Sequence, residues 1–337
     1  GVATSTVGSR VPLPQDDVRF DAGSFSGTGK TVTLDMPRAG KNIDWTGTTN
    51  TPAWAKTTAT TIYGSVTMVS GMTNSGTTNF TMEGRGAFTW TSAGQIFTNP
   101  LNIAMFGGTL TLQDALISIN YLNLTNGTFN TNNFNVSFFT IISGTATRTL
   151  TMGSGTWVAL GTGNVWNATT ITNLTFNKDT STIIVPNITA TAKTFIGGGL
   201  TYNNVTFLGD NITVTGANTF NTMAVNNAGY GGANGLILPT GVSTTTVSNI
   251  TTNATTTSDY AKIKSATAGV IAGLKTTTNI TICVDYMSIK DSNGYSTGGG
   301  SFYAGANSSN VSGNAGWIFT ACPAAASGGE GYTIIFE

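Results

Sequence analysis

The sequence predicts an all-β chain wound into a parallel β-helix, a β-solenoid with terminal caps and an extended C-terminal strand, and three observations predict it. A short apolar-Thr-apolar element recurs as Val66-Thr67-Met68, Phe88-Thr89-Trp90, Leu110-Thr111-Leu112, Leu150-Thr151-Met152, Leu174-Thr175-Phe176 and Leu200-Thr201-Tyr202, at steps of 22, 22, 40, 24 and 26 residues. Phe129-Asn130-Thr131 divides the long step, which leaves the variable period that stacked coils produce. Runs such as GTLTLQ, RTLTMG, NLTFN and NVTFLG alternate apolar residues with Thr or Asn, so one face turns inward and the other is rich in hydroxyls and amides. No long stretch carries apolar residues at helical spacing, and Thr, Gly and Asn are poor helix formers. Each coil adds about 4.8 Å, so about eight to ten coils would make a rod of about 40 to 50 Å. Tandem β-sandwiches are the alternative; their strands recur at about 8 to 12 residues, and the longer period favours the solenoid.

The elements follow in order. Residues 1–15 read as an N-terminal extended segment carrying Pro12 and Pro14, and the start at Gly1 reads as a processed or trimmed chain. Residues 16–257 hold the solenoid, with glycines where a chain that corners several times per coil needs positive φ. Stacked Asn and Thr can satisfy turn backbone groups without charge, and like charges stacked at the rung spacing would repel. Residues 258–322 read as a C-terminal cap, with Trp317 and Phe319 packing over the last coil. Residues 323–337 are a small-residue tether and a terminal strand of Tyr332, Thr333, Ile334, Ile335 and Phe336. A free apolar strand is an aggregation hazard without an acceptor edge, supplied by its own subunit or by a neighbour.

Composition bounds the function. The chain has 337 residues, 39 % hydrophobic, and only 8 % are charged, 14 basic against 14 acidic, where an average soluble protein has about a quarter. Dispersed, cancelling charge offers no patch for nucleic acid, and no apolar run is long enough to span a membrane. There is no histidine, which removes the commonest general base and transition-metal ligand. The expectation is a protein that is not an enzyme and holds no cofactor. Cys283 and Cys322 form either one disulfide or two buried thiols; a bridge suits an extracellular location. Asn-x-Ser/Thr sequons occur at 14 of 33 asparagines, among them Asn79, Asn123, Asn173, Asn187, Asn211, Asn249, Asn279 and Asn310, where chance gives about eight or nine.

Three searches for chemistry end in structural readings. Asp16, Asp17 and Asp21 form one acidic cluster, Asp285 and Asp291 another; a glycosidase needs two carboxyls facing one groove, whereas turn capping explains both. The first cluster lacks the glycine-centred spacing of a calcium loop, so calcium is the weaker reading there. The string Gly27-Thr28-Gly29-Lys30 opens no helix and cradles no phosphate. Trp45, Trp54, Trp90, Trp157, Trp166 and Trp317 could stack on glycans but are more simply core residues.

PQDDVRFDAGSF near the start, NIDWTG after it and SFYAGANSSNVSGNAGWIFTA near the end resemble a loosely defined family of β-solenoid proteins from phages and uncultured microbes. The resemblance implies a virion-associated or cell-surface role and transfers no catalytic residue; GGEGYTIIFE lies beyond it. The expected function is an extracellular structural protein that assembles head to tail, into a filament or surface layer, by terminal strand addition to other copies of itself. The alternative is a phage tail or cell-surface adhesin module that binds surface glycans.

Overall fold

The computed structural model describes residues 12–187, 191–241 and 244–323, in which parallel strands stack in about 14 turns of a β-solenoid without any helix. At about 4.8 Å per coil the rod is about 60 Å long. It exceeds the expected eight to ten coils because the recurring Thr element covers only part of the rod: Leu200-Thr201-Tyr202 falls on another face, in the strand Thr201–Gly209, and the other five members share one face. That face starts at Val18–Arg19, passes through Ile43–Asp44, Val66–Thr67 and Ala87–Thr91, and stops at Leu174–Asn177.

A second face begins with Thr31–Leu34, Ala53–Lys56 and Thr73–Gly76, and Ile96–Phe97 continues it as far as Ser292–Ser296. A third runs from Thr60–Ile62 through Phe80–Met82 to Ser309–Ser312. The long strands Leu101–Leu112 and Tyr121–Asn130 serve both the third face and the first, their near halves pairing in one stack and their far halves in the other. The bend between the halves falls at Gly127, whose φ is 78° and where a Cβ would lie 1.9 Å from the Met105 carbonyl oxygen. Only glycine can turn that corner.

Alternation buries one side chain in two, and the buried ones stack. On the third face Phe80, Leu101, Leu122, Ile141, Trp166, Phe195 and Val214 are in successive register. On the second, Leu116, Val136, Trp157, Ile183, Val205, Met223 and Ile250 do the same. The Thr repeat is in register at Phe88, Leu110, Phe129 and Leu150, as its spacing implies. Two members slip by two residues: Val66 pairs with Trp90, and Leu150 with Phe176. A slip of two keeps every side chain on its own face, so the sequence pattern tolerates it.

Asn and Thr contacts run from coil to coil along the strands and the corners. Asn123 Nδ2 donates to Asn102 Oδ1 at 2.6 Å, Thr78 Oγ1 to the Thr58 carbonyl at 3.0 Å, and Asn99 Nδ2 to the Thr78 carbonyl at 2.7 Å. The region read as a separate cap, residues 258–322, carries further rungs instead: Ala261–Ser265, Ala272–Thr276, Met287–Lys290 and Ser292–Ser296 extend the second and third faces. Its periodicity escapes the Thr element because Lys and Gly take the outward positions there. Trp317 does pack over the end of the core, edge-on to Phe302 at 5.2 Å, with Phe319 partly buried beside it.

Candidate functional site

The two ends of the rod differ. At the start, Val18–Arg19 pairs only with Ile43–Asp44, and Thr31–Leu34 only with Ala53–Lys56, so among the described residues the outer edge of each strand has no partner strand. Val18, Phe20, Val32 and Leu34 are only partly buried, although they belong to the core. With Pro12, Met36, Ile43 and Trp54 they line a cleft of about 240 Å³. Phe20 stacks on Trp45 at 4.1 Å and gives it an aromatic wall. Asp35 and Arg38 stand at its margin. An apolar core end beside unpaired backbone donors and acceptors is what an incoming strand requires.

At the other end the short strands Ile282–Cys283, Phe302–Tyr303 and Trp317–Ile318 form a small parallel sheet of their own. A disulfide joins Cys283 to Cys322, with Cα atoms 5.8 Å apart, and so fixes Cys322, one residue before the last described position, to this sheet. Tyr332, Thr333, Ile334, Ile335 and Phe336 lie outside the described residues.

The acidic clusters are committed to turns. Asp16 Oδ2 accepts from the Leu13 amide, Asp17 Oδ1 from Asn42 Nδ2, and Asp21 Oδ1 from the Gly23 amide and the Ser24 hydroxyl. Among the described residues no three His, Cys, Asp or Glu side chains gather as a metal site. Asp285 accepts from the Tyr286 and Asn307 amides and from Asn307 Nδ2; buried Asp291 accepts from the Gly269 amide. Both behave as loop caps. Gly29 is a turn residue with φ 70°. All six tryptophans are buried, none more than 8 % exposed, so they offer no platform for a sugar.

The sequons divide by exposure. Asn79, Asn173, Asn249, Asn279 and Asn310 are exposed, while Asn123 and Asn211 are half-buried, the former engaged in its ladder. Asn187 is a correction: it is 1 % exposed, and its Nδ2 donates to the carbonyls of Thr191 and Asp210. A sugar there would break both hydrogen bonds and the corner they hold.

Sequence reasoning missed the buried cations. Arg148 is 1 % exposed; its guanidinium donates to Ser143 Oγ and to the carbonyls of Ala146, Thr170 and Thr172, which ties two loops to the rod. Burial lowers its pKa, as it does that of Lys193, whose Nζ donates to the Leu160 and Pro186 carbonyls. Lys56 is 2 % exposed, its Nζ 4.5 Å from the centre of the Trp54 ring and 5.2 Å from that of Phe97. Burial lowers its pKa to about 7. The signal was present: in AWAK, alternation from an inward Trp54 places Lys56 inward as well. Also missed was an outward apolar stripe, in which Ile96 is in register with Ile117, and Ile119 and Tyr121 are exposed nearby along the chain. Comparison with family models, with curated proteins and with solved structures gives no match.

Proposed function

We propose that this chain is an extracellular structural subunit that assembles head to tail, residues 332–336 of one copy adding as a strand to the open first coil of the next. The observation that carries the reading is the placement of the two ends. The cleft lies at the first coil, and the disulfide roots the C-terminal residues at the last. Ten positions separate Cys322 from Tyr332, a reach of about 35 Å at full extension, against a rod of about 60 Å. A chain cannot fill its own cleft with that strand; a second copy can. Such a contact does not close on itself, so it propagates as a filament or layer. The disulfide suits an oxidising, extracellular location.

The test compares intact protein with a chain ending at Ser327 and with Leu34→Glu, which puts a charge into the cleft, by light scattering and negative-stain microscopy. Filaments from the intact chain, and folded monomers from both variants, are the expected result. Intact protein that stays monomeric at high concentration would sink the proposal. Filaments from the truncated chain would show that residues 332–336 are not the connecting strand.

A further inference from the structure

The second face buries one lysine where the surrounding pattern calls for hydrocarbon, and sets a half-buried asparagine beside it. Register places Val32, Trp54 and Asn74 in one column, and Leu34, Lys56 and Gly76 in the next. Lys56 and Asn74 meet between these columns, Nζ lying 3.5 Å from Asn74 Oδ1. The other acceptor of Nζ is the Trp54 carbonyl, also at 3.5 Å. The side chain thus has three donor positions and two long contacts. No acidic side chain pairs with it among the described residues.

This is a costly way to keep a lysine. Removing an ammonium from water costs several kcal/mol unless a close counter-charge and short hydrogen bonds compensate, and stacking against two aromatic rings returns only about 2 kcal/mol. Methionine would fill the same volume without the penalty. Desolvation instead favours the neutral amine, which is a nucleophile. What faces it is an electrophile held still. Asn74 Nδ2 donates to the Ile96 carbonyl at 2.7 Å, which holds the carboxamide with Oδ1 toward Nζ. A Cβ on Gly76 would lie 3.0 Å from Lys56 Cβ, so glycine there leaves the lysine stem its room.

We propose that Lys56 and Asn74 close a covalent amide across the core, the lysine nitrogen displacing the carboxamide nitrogen as ammonia. The amine lone pair forms the new bond to Cγ of Asn74, and the bond from Cγ to Nδ2 breaks. The proton released from Nζ leaves on Nδ2, so no oxidant or other reagent is consumed. Asn74 is half-buried, which leaves ammonia a way out. The product replaces a buried cation with a neutral amide and ties two adjacent coils together, 18 residues apart in the chain. With no carboxylate to relay the proton, the bond forms slowly after folding, so the linked fraction grows with incubation. Proximity in a fixed site is the source of the rate.

Tandem mass spectrometry of the full chain, folded and incubated for long periods at mildly alkaline pH, tests this. Expected are an intact mass lower by one ammonia and a digest containing Lys56 joined to Asn74. Succinimide formation at an Asn-Gly pair, such as Asn234-Gly235, loses the same ammonia, so the linked peptide decides the matter. Lys56→Met, checked as folded by circular dichroism, is expected to lack both the linked peptide and the time-dependent loss that accompanies it. Recovery of Lys56 and Asn74 only in unlinked peptides after prolonged incubation overturns the proposal, and so does an ammonia loss of undiminished size in Lys56→Met.

Discussion

Lys56 sets a pH dependence that can be worked out in sign. In the folded chain its pKa falls to about 7, because burial disfavours the charged form; in the unfolded chain it returns to about 10.4. Between those values the unfolded state binds more protons, so the lysine's contribution to stability rises with pH across that window, by at most about 1.4 kcal/mol per pH unit. Below about 7 the penalty is at its full size and no longer changes. The measurement is cleanest where no amide can form, in Asn74→Ala compared with Asn74→Ala/Lys56→Met by chemical denaturation. Met is expected to stabilise most at and below neutral pH, with the advantage shrinking toward pH of about 10. An advantage independent of pH would mean that Lys56 titrates alike in the folded and unfolded states, as a hydrated lysine does. The position was legible from the alternation of AWAK, but the chemistry was not, because the partner Asn74 lies one coil away and register sets the pairing.

At the level of elements, corners limit this fold more than strands do. Gly127 joins a third-face half-strand to a first-face one at positive φ, with the Met105 carbonyl occupying the space of a side chain. Gly127→Ala therefore combines a left-handed penalty with a backbone clash, and about 3 kcal/mol of destabilisation or more is expected in a denaturant titration. Gly107→Ala is the comparison: its φ is 74°, but no atom lies within 4 Å of a Cβ there, so strain alone applies and the loss is smaller. Equal losses at the two sites would remove close approach as the cause. The same contrast explains what the sequence could disclose. Alternation is local, so the inward stacks through Leu110 and Phe129 were readable from spacing. The number of faces depends on where glycines bend a continuous strand, and Gly127 and Gly107 look alike in sequence while differing in what surrounds them. The cleft was harder still to foresee, since Val18, Val32 and Leu34 read as ordinary core residues and only the stacking order leaves them at an end.

Over the whole molecule, stability is quasi-one-dimensional, because each coil contacts little beyond its neighbours and the end coils have one neighbour each. The two ends should therefore fray first, and different devices protect them. At the C-terminal end the Cys283–Cys322 bridge closes a loop 39 residues long, worth about 4 kcal/mol in chain-entropy terms. At the N-terminal end, among the described residues, Val18–Arg19 and Thr31–Leu34 have partner strands on one side only. If a second copy's terminal strand supplies the missing partner, protection there must depend on protein concentration, since binding stabilises what it caps. Hydrogen exchange read by peptide gives the contrast directly. Exchange within Thr31–Leu34 should slow as concentration rises, while Trp317–Ile318 should respond to reduction of the disulfide and hardly to concentration. Central coils such as Leu116–Ser118 and Val136–Phe138, with neighbours on both sides, serve as the fixed reference. Because the chain carries 14 charges of each sign and joins through apolar and backbone groups, the concentration effect should survive high salt. Protection at Thr31–Leu34 that ignores concentration, in a chain that otherwise stays folded, would mean that the first coil is closed from within the same molecule and that assembly, where it occurs, uses another surface.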